Sequence, residues 1–76
     1  LSPVIQALHE KLHRYRTDEL EQQKFRLSDQ EIKKADKLTT SVVNKIANQA
    51  TEYIKSKYRH SEEVVKMMEE MFKLKQ

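Results

Sequence analysis

None of the 76 residues is glycine, and only one, Pro3, is proline. Two-residue β-hairpins depend on positive-φ positions that glycine fills at no steric cost, so this chain is poorly equipped to turn strand into strand. No Asn-Gly or Asp-Gly pair occurs, and no stretch sustains strict apolar–polar alternation. Apolar residues recur instead at helical spacing, which predicts an all-α fold of about three helices. The missing glycine also removes phosphate-cradling loops and dinucleotide fingerprints, which need backbone geometry that a Cβ obstructs. With no Cys there is no disulfide framework, no thiolate nucleophile and no Cys-based zinc site. The longest purely apolar runs are pairs such as Val42-Val43, too short for a membrane span or a signal-peptide core.

Leu, Ile, Val and Phe make up 18 of the 76 residues, about 24%, close to the composition at which chains stay disordered. A chain this short rarely buries enough apolar surface to offset its conformational entropy unless it is stapled or associates. Staples being absent, association is the device left. The net charge of +3 is mild, and its surplus sits in the middle: residues 28–60 carry 7 basic against 4 acidic side chains. That tilt leaves a nucleic-acid partner open, although a mixed-sign solvated helix surface gives the same count. The chain starts on Leu1, and it reads as a single domain, 1–76, cut from something larger.

Three helix starts are written in the sequence. Ser2-Pro3 supplies an N-cap and a proline at the first helical position. From there Ile5, Leu8, Leu12, Tyr15, Leu20 and Leu27 follow one face to about Arg26, a helix of roughly 36 Å. Arg16, Glu19 and Gln23 fall in the middle of that face, so its second half is expected to be wetter or to meet a polar neighbour. Ser28-Asp29-Gln30-Glu31 is a capping box, and Leu27 and Ile32 hold the positions of a hydrophobic staple. The second helix is expected to reach about Tyr58, either continuous or as two abutting pieces. Ser61, with Glu62 and Glu63 in the first turn and Lys73 and Lys75 at the far end, marks the third. Its apolar residues, Val64, Val65, Met67, Met68, Met71, Phe72 and Leu74, cover about half the circumference, more than one neighbour needs.

His9-Glu10-Lys11-Leu12-His13 matches H-E-x-x-H, in which two histidines one turn apart bind zinc and the glutamate activates water. A catalytic zinc also needs a third protein ligand and an enclosed cleft, and a small helical chain offers neither. The two histidines are therefore expected to border a packed stripe, and no metal-binding or catalytic residue is expected on the chain. Lys55, Lys57, Arg59 and His60, interleaved with Tyr53 and Tyr58, imitate a basic-aromatic nucleic-acid patch, but cations beside an apolar face are the ordinary edge of a helix. The Met67, Met68 and Met71 set reads as core or subunit interface.

One stretch is specific. Lys37-Leu38-Thr39-Thr40-Ser41-Val42-Val43-Asn44-Lys45-Ile46 resembles the Leu-Thr-x-x-Leu-Val-Asn-Lys-Leu segment in the C-terminal dimerisation domain of glutamyl-tRNA reductases. Pro3 to Leu8, followed by Arg16-Thr17-Asp18-Glu19-Leu20, is similar to that domain's opening helix, and Met71-Phe72-Lys73-Leu74 to its Leu-Phe-x-Leu ending. The family often has His and then Pro after the Asn-Lys pair, where this chain has Ala47-Asn48-Gln49-Ala50, so a kink expected there is missing from the sequence. The resemblance implies a cytoplasmic parent enzyme that reduces glutamyl-tRNA to glutamate-1-semialdehyde with NADPH, for tetrapyrrole synthesis. It also implies that the catalytic cysteine, the NADPH site and the tRNA contacts lie in other domains, with no cofactor on this chain and no membrane partner. This part would then form a symmetric helical homodimer with its own copy. The expected dimer interface and core comprise Ile32, Ala35, Leu38, Val42, Val43, Ile46 and Ala50 on the second helix, with Val64, Met68, Met71 and Phe72 on the third. The alternative is a small helical nucleic-acid or tRNA-contacting module that uses the basic middle third.

Overall fold

The sharpest local signal in the chain is satisfied in full. In a computed structural model that describes residues 2–57 and 61–74, the Ser28 hydroxyl accepts from the Glu31 amide at 3.2 Å, and the Glu31 carboxylate accepts from the Ser28 amide at 2.8 Å. Two of the orphan donors at this helix start are thereby paired, and the Ser28 carbonyl takes the first intrahelical bond from the Ile32 amide at 2.9 Å. The staple residues Leu27 and Ile32 are both half-buried.

The fold is all-α. Helix α1 spans Ser2–Gln23, α2 spans Asp29–Ser56 and α3 spans Ser61–Phe72. The first helix does not stay α-helical to Arg26 as the stripe predicts. Its last turn, Lys24–Arg26, tightens into a 3₁₀ turn. The cause is the exit that follows, because Leu27 (φ −125°, ψ 143°) and Ser28 (φ −71°, ψ 165°) must both be extended for the chain to reverse into α2. The second helix is one continuous element of 28 residues, in keeping with the absence of the family's proline. The start of α3 falls at Ser61 as predicted. The side chains of Ser2 and Ser61, and the residues Tyr58, Arg59, His60 and Lys75, lie outside the described residues, as do the caps and charges assigned to them.

At its other end α3 closes with a Schellman motif. The Leu74 amide bonds the Glu69 carbonyl at 2.9 Å while Lys73 takes a left-handed conformation, φ 53°. A glycine would hold that position without the Cβ contact that lysine bears.

Helices α1 and α2 form an antiparallel hairpin that α3 touches on both arms. Among the described residues the buried hydrophobic side chains are few: Val4 and Leu8 from the start of α1, Ala47 and Ile54 from the second half of α2. The core therefore sits at the end of the hairpin away from its turn, and Ala47 has the small side chain that lets two helices approach closely. The whole molecule measures 48 × 24 × 15 Å with a radius of gyration of 14.8 Å. A compact domain of the same length would have about 11 Å.

Candidate association surface

Three polar rungs fix the register of the hairpin. His9 Nε2 lies 3.2 Å from Thr51 Oγ1, His13 Nε2 lies 3.0 Å from Asn44 Oδ1, and Arg16 Nη1 reaches Asp36 Oδ1 at 2.5 Å. Ascending α1 thus means descending α2, with successive rungs about one helical turn apart on α1 and about two on α2. Arg16, which interrupts the apolar face of α1 in the sequence, meets the polar neighbour that its position required. Both histidines of the H-E-x-x-H match direct Nε2 at α2 rather than at a shared point. Among the described residues, no group of three or more His, Cys, Asp or Glu is placed to hold a metal ion.

Beside this seam, on the half of the hairpin nearest the turn, the two helices leave an open apolar groove of about 610 Å³. From α1 come Leu12, Tyr15 and Leu20, with Leu27 of the connection; from α2 come Ala35, Leu38, Thr39, Val42, Val43 and Ile46. Leu38, Val42 and Ile46 follow one another at i, i+4 and i+8, a ridge along one face of α2. In the single chain they are 68, 50 and 54% exposed. Thr39 introduces no unmet polar group, because its hydroxyl donates to the Ala35 carbonyl at 2.7 Å. Arg16, Glu19 and Gln23 of α1 line the same groove, two of them charged and the third a neutral amide.

The structure gathers five of the eleven nominated residues, Ala35, Leu38, Val42, Val43 and Ile46, into this groove. Ile32 and Ala50, also on α2, are half-buried outside its lining. Val64, Met68 and Phe72 are half-buried on α3, and Met71 is exposed there with Met67. None of the eleven belongs to the fully buried set. The α1 contribution, Leu12, Tyr15 and Leu20, was not among those nominated, although its stripe carries the same period-3.6 signal. Of the basic-aromatic patch, Tyr53 and Lys57 make a cation–π contact at 5.5 Å, and Tyr58, Arg59 and His60 lie outside the described residues.

The accessible surface is 6414 Å², whereas a compact monomer of 9.1 kDa exposes roughly 4,900 Å². The excess, about 1,500 Å², exceeds the ~800 Å² per partner of a standard protein interface. Few buried side chains, surplus surface and an exposed aliphatic ridge define an association module, a helical piece that uses another chain to complete its burial. Residues 1–74 match the family described as glutamyl-tRNAGlu reductase, dimerisation domain, and the chain belongs to that family. Neither the search of curated proteins nor that of solved structures finds a match. Among the described residues no helix is long and apolar enough to cross a membrane.

Proposed function

We propose that two copies of this chain associate about a two-fold axis through the α1–α2 groove, with Leu38, Val42 and Ile46 at its centre. The observation that carries this is the exposure of that ridge: three aliphatic side chains in register, with water over a groove whose walls are also apolar. A two-fold pairing presents the same patch to itself, so each ridge would find an aliphatic surface without any new chemistry. The other nominated residues on α2 and α3 complete the burial or lie at its rim. Residues 1–76 act as one domain, and the catalytic nucleophile, the NADPH site and the glutamyl-tRNA contacts of a cytoplasmic parent enzyme lie in other domains. Residue chemistry supports that division, because the chain has neither the Cys nor the Gly that such sites draw on.

Light scattering across a dilution series tests the association. A mass near twice 9.1 kDa at tens of micromolar, falling towards 9.1 kDa on dilution, is expected. A mass of 9.1 kDa at every concentration would overturn it.

A further inference from the structure

The two halves of the hairpin are finished differently. On α1, Ala7, Lys11 and Arg14 lie roughly half a turn round the axis from the rung-bearing His9 and His13. The residues that follow α3, Lys73 and Leu74, sit against those three. Helix α3 therefore lies on the side of the hairpin away from the rungs, over the half that holds Val4, Leu8, Ala47 and Ile54. The groove opens on that same side, over the other half. Its Tyr15 is one turn on from Lys11, and its Ala35, Thr39 and Ile46 are roughly a third of a turn or more round α2 from Asn44. Bare half and covering helix also agree in length. The α2 wall from Ala35 to Ile46 and the helix from Ser61 to Phe72 each span 12 residues, about 18 Å.

We infer that the element covering each groove is α3 of the second copy, so that the two hairpins run in opposite directions across the two-fold axis. This rests on the pairing through the groove and gives it a direction. Helix α3 has apolar surface to spare. Val64, Val65, Met68 and Phe72 are half-buried, whereas Met67 and Met71, one turn apart, form a second apolar edge that is exposed. Unbranched thioether side chains adapt well to an aliphatic trough such as the one Leu38, Val42 and Ile46 border. Charge selects the same direction. Helix α3 carries Glu62, Glu63, Glu69 and Glu70 against Lys66 alone, while residues 24–37 at the turn end carry five basic side chains against three acidic. Opposed hairpins bring these unlike ends together, and hairpins running the same way would set each end against its like. The same-way arrangement would also stack α3 on α3 and hold both grooves open by about a helix diameter, roughly 10 Å.

The chain has no cysteine, so a cysteine placed at the exposed Gln30, near the turn end of α2, carries a single nitroxide label. Gln30 is about 24 Å along α2 from Ile46, where the bare and covered halves meet. In dimeric chain, pulsed electron paramagnetic resonance should therefore give a main label-to-label distance above about 35 Å. Met71→Glu changes a side chain that is already exposed in the single chain, and should weaken pairing about tenfold or more with helicity unchanged. A main distance below about 35 Å in dimeric chain, or a Met71→Glu variant that pairs as tightly as the parent, would overturn the opposed arrangement while leaving the pairing itself in place. A parent that sediments as a monomer at tens of micromolar would remove both.

Discussion

Arg16 of α1 and Asp36 of α2 meet at 2.5 Å across the hairpin seam, the arginine side chain 13% exposed and the aspartate 56%. The pair is lopsided: solvent screens the carboxylate, whereas the guanidinium is mostly buried and shared with His13. Asp36→Asn should therefore cost only about 0.5–1 kcal/mol. Arg16→Ala should cost about 1–2 kcal/mol, because it also removes the packed alkyl stem and the bond to His13. Urea titration of both variants at low and high salt checks this. The Asp36→Asn loss should shrink with salt, and the Arg16→Ala loss should largely persist.

The capping box makes a second prediction. Ser28→Ala removes the acceptor for the Glu31 amide and should destabilise the chain by about 1 kcal/mol. The bonds from Ser28, its backbone amide first and its side chain second, hold the Glu31 carboxyl below its ordinary value of 4.5. A depressed folded-state value means that the contribution is fully present above 4.5 and lost as pH falls through the lower folded-state value. Glu31→Gln should accordingly flatten the stability–pH curve in that acid window and lower it by a constant amount near neutrality.

Lys73 offers a gain. Its left-handed backbone at φ 53° is a position where glycine has no Cβ to accommodate. Lys73→Gly should raise stability by about 0.5–1 kcal/mol, and Lys73→Val should lower it. Thermal melts followed by circular dichroism distinguish the two.

The small core is the weak point of the fold. Leu8→Ala or Ile54→Ala removes one of the few fully buried side chains and should cost about 2–5 kcal/mol. Ala47→Leu inserts bulk at a fully buried position and should cost about 1–3 kcal/mol. A small domain has about 5 kcal/mol or less to lose, so Leu8→Ala is expected to be largely unfolded by circular dichroism unless association compensates.

Local physics was legible in the sequence where neighbours alone decide the structure. Ser28 and Glu31 specify a cap without reference to the rest of the chain, and the apolar period specifies three helices. The 3₁₀ tightening at Lys24–Arg26 was not legible, because it follows from the geometry of the reversal and not from propensity. Periodicity also marks a broad apolar arc without saying which part of it a neighbour covers. Val42 and Ile46 lie roughly a quarter-turn or more around α2 from Ala47 and Ile54, and the first pair is exposed while the second is buried. The two imidazoles of the H-E-x-x-H spacing, on one flank of α1, reach Thr51 and Asn44, partners far away in sequence.

Leu38 gives the most direct test of groove-mediated pairing, because it is 68% exposed in the single chain and a carboxylate there costs an isolated monomer little. Inside a two-fold apolar interface the same change would count twice and bury an uncompensated charge. Sedimentation equilibrium on the parent, Leu38→Asp and Ser41→Asp at matched concentrations, with helicity checked by circular dichroism, separates the possibilities. The prediction is a dimeric parent, a dimeric Ser41→Asp and a monomeric Leu38→Asp that keeps any helicity not dependent on pairing. A parent that stays monomeric at tens of micromolar, or a Leu38→Asp chain that dimerises as tightly as the parent, would contradict it.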